Sequence, residues 1–314
     1  GDIIQISGGE YGSFDKRSSA AFNLELHINS EKESFDTVDT QSIGIGQPTI
    51  SSFGDGVYVL SDIVAPMIPL TIREDSVHHT LTVGKEIWIH IPNGLNITWP
   101  ELSSTDLTNT YIGTPDTIHN GKTLVLPIST EFSLNDSVTI GGLSLMLNAK
   151  SAGDTLELST NGDTLLVNDK DQFEYRVGQP QIEFTSGLDQ VFVLNDGTVT
   201  LDTIRYTENT AGTAVDTIQL IIPDTLDVKW SSDNFEIAGT GAEKIENTTL
   251  SSDSSIINLE LKTDSVFTVS DSLIFTNLQL ELDSVSHRDF LTLRVNSTGA
   301  DDGAITHHIR VGSP

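Results

Sequence analysis

The chain has 314 residues, no cysteine and a formal net charge of −29, from 45 acidic and 16 basic side chains. The absence of cysteine excludes disulfides and thiolate metal sites. The acidity argues against nucleic acid or an anionic membrane surface as a partner, since both need basic patches, and without an apolar run of about 18 residues we expect no membrane span.

A four-residue motif occurs three times along the chain. It stands at 45–48 (IGQP), 177–180 (VGQP) and 311–314 (VGSP), and the two steps between these positions are nearly equal. The segment 57–62 (VYVLSD) returns as 191–196 (VFVLND) after the same step. A fixed period predicts a tandem array, and such arrays usually span distance or display surface.

The period divides the chain into a fragment at 1–47 and two full units at 48–179 and 180–314. Each full unit is large enough to bury a core of its own. The fragment corresponds only to the last third of a unit, and two explanations stay open. It is either a window cut from a longer array, or an incomplete unit that strands of a neighbouring chain complete.

Each unit is predicted to consist of strands, because apolar residues alternate with polar ones. Ile87, Ile89 and Ile91 point to one side of a strand, and Trp88 and His90 point to the other. Similar apolar faces follow at Leu143, Leu145, Leu147, Ile218, Leu220, Ile222, Leu278, Leu280 and Leu282. Turn-forming pairs separate the strands at 93–94, 120–121, 161–162, 196–197 and 302–303. The pattern predicts an all-β fold of tandem Ig-like β-sandwich domains arranged end to end.

One tryptophan recurs in each full unit. Trp99 and Trp230 are separated by nearly the same step as the other repeated segments, and each follows shortly after an Ile-Pro pair. Their equivalent positions favour a place in or near the core, and the alternative is a tryptophan that stacks on sugar.

The sequence resembles a repeat of very large cell-surface proteins of Bacteroidota-like bacteria. The residues that carry the resemblance are 3–9 (IIQISGG), 23–26 (NLEL), 45–52 (IGQPTISS) and the Ile-Pro-to-Trp pairs at 87–99 and 218–230. These motifs cover nearly the whole chain, but they specify strands and turns rather than an activity. The resemblance implies an exported, extracellular protein at the cell surface, and it brings no catalytic residues.

Asp followed by Ser or Thr and then by Val, Ile or Leu occurs twelve times. The hydroxyl residues are Thr37, Ser76, Thr117, Ser137, Thr155, Thr164, Thr203, Thr217, Thr225, Ser265, Ser272 and Ser284. A strand-rich acidic repeat produces this tripeptide by itself, because Asp ends a turn and the aliphatic residue begins a buried face. The tripeptide also resembles the acceptor pattern of Bacteroidota-type O-glycosylation, so both explanations stay open. Thr217 is the weaker candidate of the set, since a hydroxyl on an inner face cannot be modified after folding.

The sequence has no complete motif for metal binding or catalysis. The doublets His78-His79 and His307-His308 do not form a metal pincer, because adjacent strand residues point to opposite faces. The segments 169–171 (DKD) and 301–303 (DDG) are only pieces of calcium loops, although the acidity leaves Ca²⁺ between units open. A nucleophile elbow, a P-loop, a dinucleotide fingerprint and a metalloprotease helix are all absent, so we expect neither an enzyme nor an organic cofactor.

The sequence therefore predicts a structural repeat segment of an extracellular surface fibre or filament, carrying O-linked glycans. Its partners would be neighbouring repeats or identical chains, in end-to-end or lateral assembly. The alternative is an adhesin or a carbohydrate-binding accessory module, which an exposed Trp- or Tyr-lined groove on one unit would favour.

Overall fold

The computed structural model describes residues 18–26, 37–60, 64–101, 110–160, 167–209, 212–231, 235–263, 265–296 and 303–313. These residues form an all-β structure whose only helices are two 3-10 turns, Leu194–Asp196 and Ala242–Lys244. The prediction of an all-β fold is confirmed. No helix of the described part has the length and apolar character needed to cross a membrane.

Strands follow one another at short intervals from end to end. Before residue 48 they are β1 (Phe22–Leu26) and β2 (Thr37–Ile43). Between 48 and 179 they are β3 (Thr49–Ser52), β4 (Gly56–Val59), β5 (Val64–Pro66), β6 (Leu70–Arg73), β7 (Glu86–His90), β8 (Ile97–Thr98), β9 (Asp116–Ile118), β10 (Thr123–Pro127), β11 (Ser137–Ile140), β12 (Ser144–Leu147), β13 (Ser151–Asp154), β14 (Glu157–Thr160), β15 (Asp169–Lys170) and β16 (Tyr175–Gly178). From 180 onward they are β17 (Gln181–Phe184), β18 (Gln190–Val193), β19 (Thr198–Thr200), β20 (Ile204–Thr207), β21 (Thr217–Ile221), β22 (Val228–Trp230), β23 (Glu236–Ala238), β24 (Ile245–Leu250), β25 (Ile256–Leu261), β26 (Ser272–Thr276), β27 (Gln279–Leu282), β28 (Thr292–Val295), β29 (Gly303–Ala304) and β30 (Ile309–Gly312).

The two long stretches share most of their sheet topology, although two of their sheets differ by one strand. A five-stranded sheet has the order β15-β14-β7-β10-β9 in the first and β29-β28-β21-β25-β24 in the second. The three-stranded order β5-β12-β8 returns as β19-β27-β22. The last strand of each stretch pairs parallel with the second strand of the same stretch, β16 with β4 and β30 with β18. Strand pairing therefore recurs with the period seen in the sequence, while the boundaries at 47/48 and 179/180 stay predictions.

The apolar faces predicted from alternation are buried. Ile87 and Ile89 are fully buried, as are their counterparts Ile218 and Leu220. Buried apolar residues form two clusters, one drawn from residues 50–177 and the other from 182–311 together with Val59. Each cluster lies between sheets of its own stretch, as in a β-sandwich.

Both recurring tryptophans belong to these cores. Trp99 and Trp230 are each 2% exposed, and Trp99 lies in the first cluster and Trp230 in the second. The predicted core position is confirmed, and the alternative of sugar stacking by these two residues is wrong because their rings are out of reach of a ligand.

Candidate functional site

A contact that occurs twice in the chain is the first candidate for a functional site. It joins a glycine near the end of one predicted unit to a threonine in the loop after the fourth strand of the next. The two occurrences are Gly46 with Thr80 and Gly178 with Thr213. Gly178 ends strand β16, and Thr213 lies in the loop between β20 and β21.

Both glycines are packed too closely for a larger residue. A β-carbon on Gly178 would lie 1.8 Å from Thr213 Cγ2, and one on Gly46 would lie 2.4 Å from Thr80 Cγ2. Such distances are far inside van der Waals contact, so the backbone of one predicted unit packs directly against the threonine side chain of the next.

A buried glutamate holds each threonine in place. Thr80 Oγ1 donates a hydrogen bond of 2.6 Å to Glu74 Oε1, and Thr213 Oγ1 donates one of 2.7 Å to Glu208 Oε1. Glu74 is 2% and Glu208 0% exposed. A carboxylate buried in this way costs free energy unless hydrogen bonds satisfy it, and such charge-assisted bonds are strong.

Further donors complete both carboxylates. The backbone N–H groups of Thr80 and Leu81 donate to Glu74 Oε2 over 2.9 and 2.7 Å. The hydroxyl of Tyr206 donates to Glu208 Oε2 over 2.8 Å. Burial raises the pKa of Glu208 above its ordinary range, and the hydrogen bonds from Thr213 and Tyr206 oppose that shift. The glutamates therefore act as internal braces that fix the shape of the loop.

Apolar packing strengthens the second contact. Val59, at the end of β4, is 8% exposed and belongs to the core cluster formed by residues 182–311. Its pairing partner in β16 is Gly178. Two paired residues of the first stretch, Val59 and Gly178, thus both contact the second stretch: Val59 packs in its core and Gly178 packs against Thr213.

Sequence reasoning missed these glutamates and threonines, although a signal was present. Glu208 follows Glu74, and Thr213 follows Thr80, after nearly the same step as the other repeated segments. The two glutamates and the two threonines therefore recur at the repeat spacing in the sequence itself. The contacts of these threonines with Gly46 and Gly178 cannot be predicted from that recurrence, because each glycine lies far from its threonine along the chain.

The hydroxyls of the twelve tripeptides differ in exposure. Ser76, Ser137 and Thr225 are exposed, and Thr217 is 7% exposed. The half-buried members are Thr117, Thr155, Thr203, Ser265, Ser272 and Ser284. Thr164 and the side chain of Thr37 lie outside the described residues. Ser76, Ser137 and Thr225 are exposed residues, although the Thr225 hydroxyl donates a hydrogen bond to Asp289 Oδ2, and their glycosylation stays a prediction.

The predicted pieces of calcium loops make other contacts where they are described. Asp169 Oδ2 accepts the backbone N–H of Ile50 over 2.9 Å, and Asp171 Oδ1 accepts that of Ser52 over 3.0 Å. These carboxylates attach β3 to the end of β15. Residues 301–302, part of the second predicted piece, lie outside the described residues. Among the residues that the structure describes, no group of three or more His, Cys, Asp or Glu side chains is arranged to hold a metal ion. Calcium binding stays a prediction.

The histidine doublets are likewise split between separate contacts. His78 Nε2 lies 3.0 Å from Ser18 Oγ, while His79 Nδ1 lies 3.0 Å from the carbonyl oxygen of Phe132. His307 Nδ1 lies 3.6 Å from Asp189 Oδ1, and the ring of His308 packs against Phe290. Neighbouring histidines thus face different partners, although neither doublet lies on a strand, so the predicted reason, the alternation of side chains along a strand, is wrong.

The third tryptophan differs from the other two, because Trp88 is half-buried on the outward face of the five-stranded sheet. Its ring meets the rings of His90 and His119 at centroid distances of 6.0 and 5.9 Å. The sequence placed Trp88 and His90 on the face opposite Ile87 and Ile89, but nothing in it indicated that His119 would join them.

No protein-family model matches the chain, and no curated protein matches it. Among solved structures it is similar to the C-terminal domain of the Streptococcus pyogenes antigen I/II-family protein AspA, at 11% identity and a TM-score of 0.38, over 84% of this chain and 99% of that one. It is also similar to a C-terminal fragment of the major pilin GBS80 of Streptococcus agalactiae, at 11% identity and a TM-score of 0.27, over 84% and 90%. A third is the Enterococcus faecalis MSCRAMM ACE, described as binding its ligands by the collagen hug, at 9% identity and a TM-score of 0.24, over 84% and 94%. At these scores the likeness carries no argument about function.

Proposed function

We propose that the chain is a structural segment of an extracellular fibre or filament on a bacterial surface, with 48–179 and 180–314 as successive members of a tandem array. One observation carries the proposal: the glycine–threonine–glutamate contact occurs at Gly46 and again at Gly178. A contact built twice at the repeat spacing is what a rigid linear array requires, since each member must hold the next in a fixed way.

The surface that Gly178 and Val59 offer also has a counterpart at the end of the second stretch. A β-carbon on Gly312 would meet only the carbonyl oxygen of Phe192, at 3.9 Å. Val193, the counterpart of Val59, is 39% exposed, against 8% for Val59. This surface would accept one more unit with a braced threonine loop, whether from the same chain or from another.

The same proposal assigns the chain no catalytic activity. Its net charge of −29 would keep neighbouring fibres hydrated and apart. O-linked glycans on the exposed hydroxyls would add to this coat and protect strand edges from pairing and proteolysis. Bacteroidota-like bacteria are the proposed source, on the resemblance given by the sequence motifs.

Images of the native material test the fibre directly. We expect negative-stain micrographs of material isolated from the producing cell to contain thin, unbranched strands with a regular beaded repeat. The braced contact fixes how each unit meets the next, so the beads should lie in line with little bending. Compact particles without linear order would contradict the proposal.

Intact-mass measurement tests the glycans. We expect the native protein to be heavier than its sequence by several sugar units, because Ser76, Ser137 and Thr225 are exposed. Substituting Ser137 by alanine should remove one glycan. Thr217→Val is the matched control and should leave the added mass unchanged, because Thr217 is 7% exposed. A native mass equal to that of the bare chain would exclude glycosylation.

An adhesin or a carbohydrate-binding accessory module is the second candidate function. The observation that favours it is the half-buried Trp88, which lies outside both cores. A fibre and an adhesive site are compatible, because one unit of an array can carry a site that the others lack.

A further inference from the structure

Strand pairing assembles a polar and aromatic cluster on the outward face of the sheet β15-β14-β7-β10-β9. Trp88 in β7 lies opposite Val125 in β10 and Ser159 in β14. His90, two residues later on the same face, lies opposite Thr123 and Glu157. We call Trp88, His90, His119 and Glu157 the Trp88 site.

Hydrogen bonds fix the histidines of the Trp88 site. His90 Nε2 lies 2.6 Å from Ser159 Oγ, and His90 Nδ1 lies 3.0 Å from Thr123 Oγ1. His119 Nδ1 lies 3.1 Å from the same Thr123 hydroxyl. The two imidazoles are therefore held beside the indole of Trp88 by the protein's own side chains.

The turn that presents His119 has an unusual backbone. His119, Asn120 and Gly121 have φ angles of 53°, 56° and 77°. Tight hairpin turns require such left-handed residues, and His and Asn tolerate them better than most other residues. The turn between β9 and β10 thereby places the His119 ring 5.9 Å from Trp88.

A shallow depression of about 290 Å³ adjoins the site and is lined by His90, Asn93, His119, Lys122 and Glu157, together with Ile91, Pro92 and Thr123. Its rim combines carboxylate, amide and ammonium groups, which accept and donate hydrogen bonds. Trp88 Nε1 donates to Glu86 Oε2 over 2.9 Å, so the edge of the indole is held while its ring remains partly open. The volume suits one small ring rather than a long ligand.

The arrangement is not that of a hydrolase, although a serine and a histidine are hydrogen-bonded. Ser159 is fully buried, so its hydroxyl cannot reach a substrate. A threonine hydroxyl, not a carboxylate, contacts the second nitrogen of His90, which leaves the imidazole without the acidic partner of a catalytic triad. Burial lowers the pKa of His90, which keeps the ring neutral near pH 7.

The second stretch has the same sheet without the cluster. By strand register, Gln219 takes the place of Trp88, Ile221 that of His90 and Arg294 that of Ser159. The five-stranded sheet of the second stretch thus forms with Gln219, Ile221 and Arg294 at these positions. The Trp88 site is therefore an addition to one of the two stretches and is not needed to form the sheet.

We propose that the Trp88 site binds one ring of a neutral saccharide. The apolar face of a pyranose ring would stack on the partly exposed indole, and the hydroxyls of the sugar would bond to carboxylate and amide groups of the adjoining depression, whose lining does not include Trp88. Glu157 is ion-paired with Lys170 over 2.5 Å, and Lys122 lines the depression. Discrimination against an anionic sugar therefore comes from Glu86 and from the chain's net charge of −29. This site rests on and deepens the second candidate function, the carbohydrate-binding module, and its failure would leave the proposed fibre function standing.

The test is a titration of the intact chain with neutral methyl glycosides of glucose, galactose and N-acetylglucosamine, followed by the indole N–H signals in ¹H–¹⁵N NMR. We expect one indole signal to shift at millimolar ligand, and that signal to be missing in Trp88→Leu. The signals of Trp99 and Trp230 should stay in place, because both side chains are 2% exposed. They also report whether each variant is folded.

Variants sharpen the result. In Trp88→Leu, binding is followed by the backbone amide signals of β7 and β10 in the same spectra, and it should weaken by about tenfold or more, the loss expected when an aromatic stacking partner is removed. Gln219→Trp is the matched control, since it puts an indole at the equivalent position of the second stretch without the histidines and the depression. It should create no binding.

Three outcomes would overturn the proposal. The first is that no glycoside shifts an indole signal. The second is that the glycosides shift the backbone amide signals of Trp88→Leu as strongly as those of the unchanged chain. The third is that tetramethylammonium binds at Trp88 and the glycosides do not, which would make the site a cation–π site beside Glu86.

Discussion

Replacing Gly178 by valine is expected to uncouple the two β-sandwiches. A β-carbon at this position would lie 1.8 Å from Thr213 Cγ2. Thr213 cannot turn away, because its branched side chain is stiff and its hydroxyl is bonded to the buried Glu208. We expect a loss of about 1–3 kcal/mol in the free energy of unfolding, the usual cost of overpacking. Differential scanning calorimetry should show the thermal transitions of the two sandwiches moving apart.

Gly312→Val is the matched control for this prediction. Gly312 ends strand β30 in the second stretch as Gly178 ends strand β16 in the first. A β-carbon on Gly312 would meet only the carbonyl oxygen of Phe192, at 3.9 Å. We expect this change to alter stability by no more than about 0.5 kcal/mol. If Gly178→Val were equally mild, the contact with Thr213 would not be a tight one, and the proposed rigid junction would lose its support.

Replacing Trp230 by alanine is expected to cost about 3–5 kcal/mol of stability, the range for removing a large aromatic side chain from a core. Trp230 is 2% exposed, and its Nε1 donates to the carbonyl oxygen of Ser255 over 3.2 Å. Trp99→Ala should have a similar effect on the other core cluster, since Trp99 is also 2% exposed. Urea unfolding monitored by circular dichroism measures both losses.

Trp88→Ala is the control for the tryptophan series. Its side chain is half-buried and belongs to neither core cluster, so we expect a cost of about 1–2 kcal/mol, well below that of Trp230→Ala. A loss as large as that of Trp230→Ala would mean that Trp88 supports the fold. In that case its presence on one stretch alone would no longer point to a ligand.

The braced junction and the Trp88 site give the two stretches different roles on one scaffold. Glu74 and Glu208 repeat with the period of the fold, as expected of residues that hold an array together. Trp88 and His90 have no aromatic or imidazole counterpart at Gln219 and Ile221. Features that recur serve the architecture, and a feature that occurs once is where a specific interaction is to be sought.

The strand content, the buried faces and the core tryptophans could be predicted from the amino-acid sequence alone. These properties are local or periodic: alternation along one strand assigns Ile87 and Ile89 to the core, and recurrence at the repeat spacing assigns Trp99 and Trp230 to equivalent positions. The contacts of Gly178 with Thr213 and of His119 with Trp88 became apparent only from the three-dimensional packing of the strands and loops. Each contact joins residues from different strands or loops that are far apart in the sequence. Such contacts depend on which strands pair and on the conformation of the turns between them, and no local pattern in a single sequence predicts either.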